Sequence, residues 1–75
     1  MGLCLPASKL IKFLESNGYK FVRQRGTSHS IYSNGSITVA IPVHGNDDIG
    51  ENLIRKILRE SELTKNELLI WLGRK

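Results

Sequence analysis

Between residues 8 and 17, apolar side chains recur at helical spacing. Leu10, Ile11, Phe13 and Leu14 fall on one side, with Lys9, Lys12 and Glu15 on the other. Ser8 is a favourable N-cap, and Gly18 after Asn17 suits the left-handed position that ends a helix. From Tyr19 the pattern changes. Tyr19-Lys20-Phe21-Val22-Arg23-Gln24-Arg25 interleaves aromatic and polar residues and reads as a strand. Gly26-Thr27 turns the chain, and residues 28–33 form a second strand. Asn34-Gly35 is a strong hairpin signal, because both residues tolerate positive φ. Residues 36–43 then alternate, with Ile37, Val39, Ile41 and Val43 on one face. Pro42 cannot donate to a ladder and belongs at a sheet edge or a strand end.

A second helix starts near Ile49-Gly50. It carries a narrow apolar stripe of Leu53, Ile54, Ile57 and Leu58, with Arg55, Lys56 and Arg59 opposite. Asp47, Asp48 and Glu51 suit its N-terminal dipole, and their loop has no recognised metal-binding spacing. A third helix opens on a capping box, Thr64 with Glu67, and a staple of Leu63 and Leu68. Its apolar residues are Leu68, Leu69, Trp71 and Leu72, and Gly73 ends it. Residues 1–7 read as a tail. The order is α-β-β-β-α plus a C-terminal helix: an α+β two-layer fold with a three-stranded antiparallel sheet.

The chain has 75 residues, enough for one small domain and a thin core. Its 40% hydrophobic and 24% charged residues exclude a disordered composition. The lone Cys4 can make neither an internal disulfide nor a cysteine zinc site. No apolar run approaches about 18 residues and no signal-peptide pattern opens the chain, so a cytoplasmic protein with no membrane association is expected. The opening Met-Gly-Leu-Cys lacks the hydroxyl residue that a myristoylation signal wants, having Pro6 in its place. A net charge of +4 and a pI near 9.6 favour an anionic partner.

Candidate chemistry concentrates in Arg23-Gln24-Arg25-Gly26-Thr27-Ser28-His29-Ser30-Ile31-Tyr32. Cleaving RNA without a metal needs a base for the 2′-hydroxyl, an acid for the leaving 5′-oxygen and cations around the phosphate. Histidine titrates near operating pH, so His29 is the candidate for proton transfer. Arg23 and Arg25 are two apart on a strand and share a face. Guanidinium groups grip phosphate oxygens bidentately, and Gly26 lets the backbone approach closely. A lone strand histidine is more often a half-buried structural residue. Strict alternation also puts His29 on the face of Ile31, so a buried face there would leave the imidazole only the sheet rim. His44 is a second titratable group: more often a polar loop residue between strand and helix, or else a second proton-transfer group. With a hairpin closed at 34–35, Ser28 lies opposite Ile41, which brings both histidines to one end of the sheet. Lys20, Arg55, Lys56 and Arg59 are candidates for tracking a phosphate backbone, although any one of them fits a solvated surface. Tyr32 is either a stacking platform or, more commonly, a packed strand tyrosine. Trp71 and the third helix read most simply as added core.

The segments Leu-Ile-Lys-Phe-Leu-Glu-Ser-Asn-Gly-Tyr (10–19), Val-Arg-Gln-Arg-Gly-Thr-Ser-His (22–29), Ile-Pro-Val-His-Gly (41–45) and Leu-Ile-Arg-Lys-Ile-Leu (53–58) resemble the HicA-type toxins of toxin–antitoxin pairs. The resemblance implies a double-stranded-RNA-binding-like fold over about 8–63, with helix 64–72 as an addition to a single domain. It implies mRNA cleavage with no cofactor or metal, and neutralisation by a HicB-type antitoxin. The family's catalytic histidine falls on His29. The histidine that often precedes it is Ser28 here, which leaves the catalytic position filled but removes a possible helper. The reading is a toxin endoribonuclease with His29 as acid/base and Lys20, Arg23, Arg25, Gly26, Ser28, Arg55, Lys56 and Arg59 on the RNA. Its rivals are a non-catalytic RNA-binding module of the same fold and an antitoxin-interaction domain.

Overall fold

A computed structural model describes residues 3–26, 28–43 and 48–73. Residues 3–7 are not a plain tail: Leu3 and Leu5 are buried, and β1 (Leu5–Pro6) pairs antiparallel with β5 (Asp48–Ile49). That pairing sets the start of the first helix. α1 runs Ala7–Ser16 with Pro6, not Ser8, at the N-cap, two residues earlier than predicted, and with no side-chain cap bond. Pro6 has φ −63° and ψ 149°, the extended backbone of a cap residue, which the fixed proline φ allows. At the other end Ser16 Oγ and Asn17 Nδ2 donate to the Phe13 carbonyl at 2.7 and 2.9 Å, and Gly18 takes φ +90°.

The main sheet has the order β2-β3-β4, all antiparallel: β2 (Lys20–Arg25), β3 (His29–Ser33) and β4 (Thr38–Pro42). Pro42 is the last residue of an edge strand, where its missing N–H costs no ladder bond. The β3–β4 turn corrects the predicted register. Gly35 alone takes positive φ, at +100°. Asn34 instead uses its side chain: Oδ1 accepts the Ser36 and Ile37 N–H groups at 2.9 and 2.7 Å, while Asn34 N donates to Ile37 O at 3.1 Å. The turn is therefore centred on Gly35-Ser36, one residue later than Asn34-Gly35. Moving a hairpin's centre by one moves its pairing by two. Ser30, not Ser28, lies opposite Ile41, and the Ser28 carbonyl accepts the Val43 N–H at 2.6 Å.

Tyr32, Val39 and Ile41 on the sheet meet Leu10, Phe13 and Leu14 of α1 in one core. α2 (Glu51–Glu60) adds Ile54, Ile57 and Leu58, and α3 (Lys65–Trp71) adds Leu68. The helices thus cover one face of the sheet. The α3 capping box is present in full, and Trp71 meets Phe13 edge-on, ring centres 5.6 Å apart. The Tyr19 hydroxyl, buried, donates to the Ser61 carbonyl at 2.9 Å and ties the start of β2 to the end of α2.

α2 is capped by Gly50, and its first-turn acid is Glu51. Asp48 belongs to β5, and Asp47 lies outside the described residues. Glu51 joins three parts of the chain. It accepts the Leu3 N–H at 2.8 Å and pairs with Lys65 at 3.1 Å and Arg55 at 3.0 Å. The Leu3 N–H, then Lys65 and Arg55, hold its carboxyl below the usual range, outweighing the burial that pushes the other way. No described helix is long and apolar enough to cross a membrane.

Candidate functional site

Directly paired residues of an antiparallel sheet share a face. Tyr32–Val39 and Ser30–Ile41 therefore face the helices, and His29–Pro42, Ile31–Ala40 and Ser33–Thr38 face outward. Across β2, Arg25 pairs with His29, Arg23 with Ile31 and Lys20 with Ser33, which puts all three cations on the outer face with His29. Plain alternation would separate Lys20 from the two arginines. A register irregularity between Phe21 and Arg23 inserts one residue and restores it to their face.

Lys20, Arg23, Arg25 and His29 are all exposed. Sharing a face with Ile31 does not bury the imidazole. Ile31 is itself only 6% exposed, yet it stands outside the main core cluster. Ile31 is flanked by Arg23 on β2 and Ala40 on β4, whereas His29, the strand's first residue, is exposed.

Gly26, immediately after Arg25, takes φ +64°, a backbone that costs a side-chain-bearing residue about 1–2 kcal/mol. Ser28 is half-buried, and its carbonyl is engaged by Val43. Arg25, Gly26, His29 and Ala40 line a hollow of about 330 Å³. A second hollow, about 280 Å³, runs from His29, Ala40 and Pro42 to Leu53, Lys56 and Ile57 of α2, with Glu60 at its end.

The basic residues of α2 divide. Lys56 borders the His29 hollow, while Arg55 is engaged by Glu51 and Arg59 is exposed away from both hollows. Tyr32 is a packed tyrosine, 7% exposed and edge-on to Phe21 at 5.6 Å, so it offers no stacking platform. Burial, then Glu15, pushes its hydroxyl pKa up. His44 lies outside the described residues.

With the geometry in place, the family follows. The family model for the HicA toxin of bacterial toxin–antitoxin systems matches residues 7–63. The chain belongs to the HicA toxin family. It is the toxin of such a pair, and an antitoxin partner goes with that membership. No curated protein and no solved structure is significantly similar to it. The HicA match spans α1 through α2 and includes every outer-face residue named above; α3 lies beyond it. Sequence reasoning missed Ala40, Pro42, Leu53, Ile57 and Glu60 as neighbours of His29. Ala40 and Pro42 were open to it, since they alternate with Val39 and Ile41. The approach of α2 to β4 is tertiary and left no local signal.

Proposed function

We propose that this HicA toxin is an endoribonuclease that cleaves mRNA without a metal, with His29 as its acid/base residue. The observation that carries the reading is the direct pairing of Arg25 with His29 on an exposed face that also holds Arg23 and Lys20. A phosphodiester resting against Arg25 and the Gly26 turn has the imidazole beside it. Arg23 and Lys20 extend the cationic track along β2, and Lys56 approaches from α2. Ser28 supports the turn through its carbonyl. Arg55 and Arg59 contribute only to the general positive field.

In the cleavage step the 2′-hydroxyl gives its proton to a base, and its oxygen attacks phosphorus. The 5′-oxygen leaves and takes a proton, giving a 2′,3′-cyclic phosphate and a 5′-hydroxyl. His29 exchanges one of these protons, and His44 is the candidate for the other. Positioned acid–base groups supply roughly 10²–10⁴-fold, and fixed cations around the developing charge supply a comparable part. The HicB-type antitoxin is the proposed neutralising partner, acting in the cytoplasm by covering this face.

The test is cleavage of RNA by the purified protein and by His29→Ala, both in chelator. Cleavage by the native protein alone supports the reading. Binding without cleavage by both identifies an RNA-binding module. No RNA affinity at any salt identifies an antitoxin-interaction domain, because phosphate contacts weaken measurably as salt rises.

A further inference from the structure

The two hollows beside His29 differ in chemistry. The first has Arg25 and the Gly26 turn at its margin, which suits a phosphate. The second mixes apolar and polar lining and carries both a cation, Lys56, and a carboxylate, Glu60. Its apolar lining comes from Ala40, the smallest side chain on the outer face, and Pro42 of β4 with Leu53 and Ile57 of α2. A phosphate there would gain Lys56 but face the like charge of the Glu60 carboxylate, whereas a neutral base can use both. A planar, weakly polar ring would keep its faces on apolar groups and its edge in reach of polar ones. The volume, about 280 Å³, falls just below the roughly 300–1,000 Å³ of drug-sized ligand sites, which suits a single ring system.

We propose that this second hollow is a nucleobase subsite for the nucleotide adjoining the phosphate held at Arg25 and Gly26. The inference rests on the ribonuclease reading and adds the means by which the enzyme selects where to cut. Lys56 and Glu60 are four residues apart, on one side of α2, and are the polar groups that α2 brings to the hollow. Among the described residues the ion pairs centre on Glu51, and neither Lys56 nor Glu60 belongs to one. Glu60 accepts from an amino or ring N–H of the base edge. Lys56 donates to a ring nitrogen or carbonyl oxygen. Unstacked bases of single-stranded RNA are read in this manner, by a surface under the ring and hydrogen bonds at its edge. His29 and Ala40 border both hollows, so one nucleotide can span them.

The test follows backbone amides and side-chain methyls of the intact protein by NMR during titration with a nucleoside 3′-monophosphate, ribose 5-phosphate or inorganic phosphate. All three are expected to shift the amides of Arg25 and Gly26. Only the nucleotide is expected to shift the methyls of Leu53 and Ile57, which line the second hollow alone. Ala40→Leu, at an exposed strand position, is expected to weaken nucleotide binding about tenfold, to the level of ribose phosphate. Glu60→Gln is expected to reorder preference among the four nucleotides. Methyls that stay still with the nucleotide, or move equally with ribose phosphate, overturn the subsite. So does an Ala40→Leu protein that keeps full nucleotide affinity but loses antitoxin binding, which would assign the hollow to the protein partner. The binding readouts do not depend on cleavage, which is measured separately. Base seating on a protein that leaves RNA intact would sink the catalytic reading alone, whereas cleavage with no base effect would sink the subsite alone.

Discussion

Arg25 and His29 stand directly opposite each other across β2 and β3, on the side of the sheet away from the helices. Opposed residues of an antiparallel pair hold their Cβ atoms about 4.5–5.5 Å apart, so the guanidinium and imidazole can reach one phosphate. Arg25→Ala is expected to lower RNA cleavage about 10²-fold, the scale of losing one charge-stabilising group. Stability should change by no more than about 0.5 kcal/mol, since the residue is exposed. Arg25→Lys should recover only part of the rate, because an ammonium cannot make the bidentate contact. Cleavage rates and urea midpoints on the same preparations decide it; unchanged rates would remove Arg25 from the site.

The Gly26 turn carries a second expectation. At φ +64° an added Cβ strains the backbone, although nothing lies within 4 Å to clash with it. Gly26→Ala should therefore cost about 1–2 kcal/mol through the backbone alone. Chemical denaturation measures the cost. A neutral result would mean that the turn relaxes without penalty.

Glu51 makes stability depend on acid. Its folded pKa is lowered, so its contribution is fully present above the unfolded value, near 4.3, and is lost as pH falls through the lower folded value. Glu51→Gln should flatten the stability profile in that acidic window. Parallel slopes for the two proteins below the ordinary carboxylate range would show that the Leu3, Lys65 and Arg55 contacts add nothing.

The bond from the Tyr19 hydroxyl to the Ser61 carbonyl is buried. Tyr19→Phe removes the donor and leaves that carbonyl unpaired, at a cost of about 1–3 kcal/mol. Burial, then Glu62, also pushes the Tyr19 pKa up. A fall in the thermal midpoint without a change in RNA affinity is the expected pair of results.

α3 hangs on its N-terminal cap. Thr64→Ala removes the acceptor for the Glu67 N–H, now at 3.1 Å, and should cost about 1 kcal/mol. Trp71, packed on Phe13, reports the loss by fluorescence. Retained RNA affinity would place α3 outside the nucleic-acid interface.

Local patterns sufficed for the helices, the three central strands and the α3 cap, because each depends on neighbours within four residues. Thr64 and Glu67 bond each other, and Leu10, Phe13 and Leu14 share a face at any helical geometry. The chain also carries, in Val39 and Ile41, the parity that turns Ala40 and Pro42 outward.

Where a choice lay between distant partners, only the tertiary structure decided. Leu3 and Leu5 look like a tail until Asp48–Ile49 supplies a strand to pair with. The Asn34 side chain, by taking two N–H groups, moved the turn and with it the register. The irregularity at Val22 brought Lys20 beside the arginines, and the approach of α2 to β4 put Lys56 and Glu60 next to His29. Periodicity is a property of adjacent residues, whereas a site is assembled from segments whose relative placement comes from burying one common core.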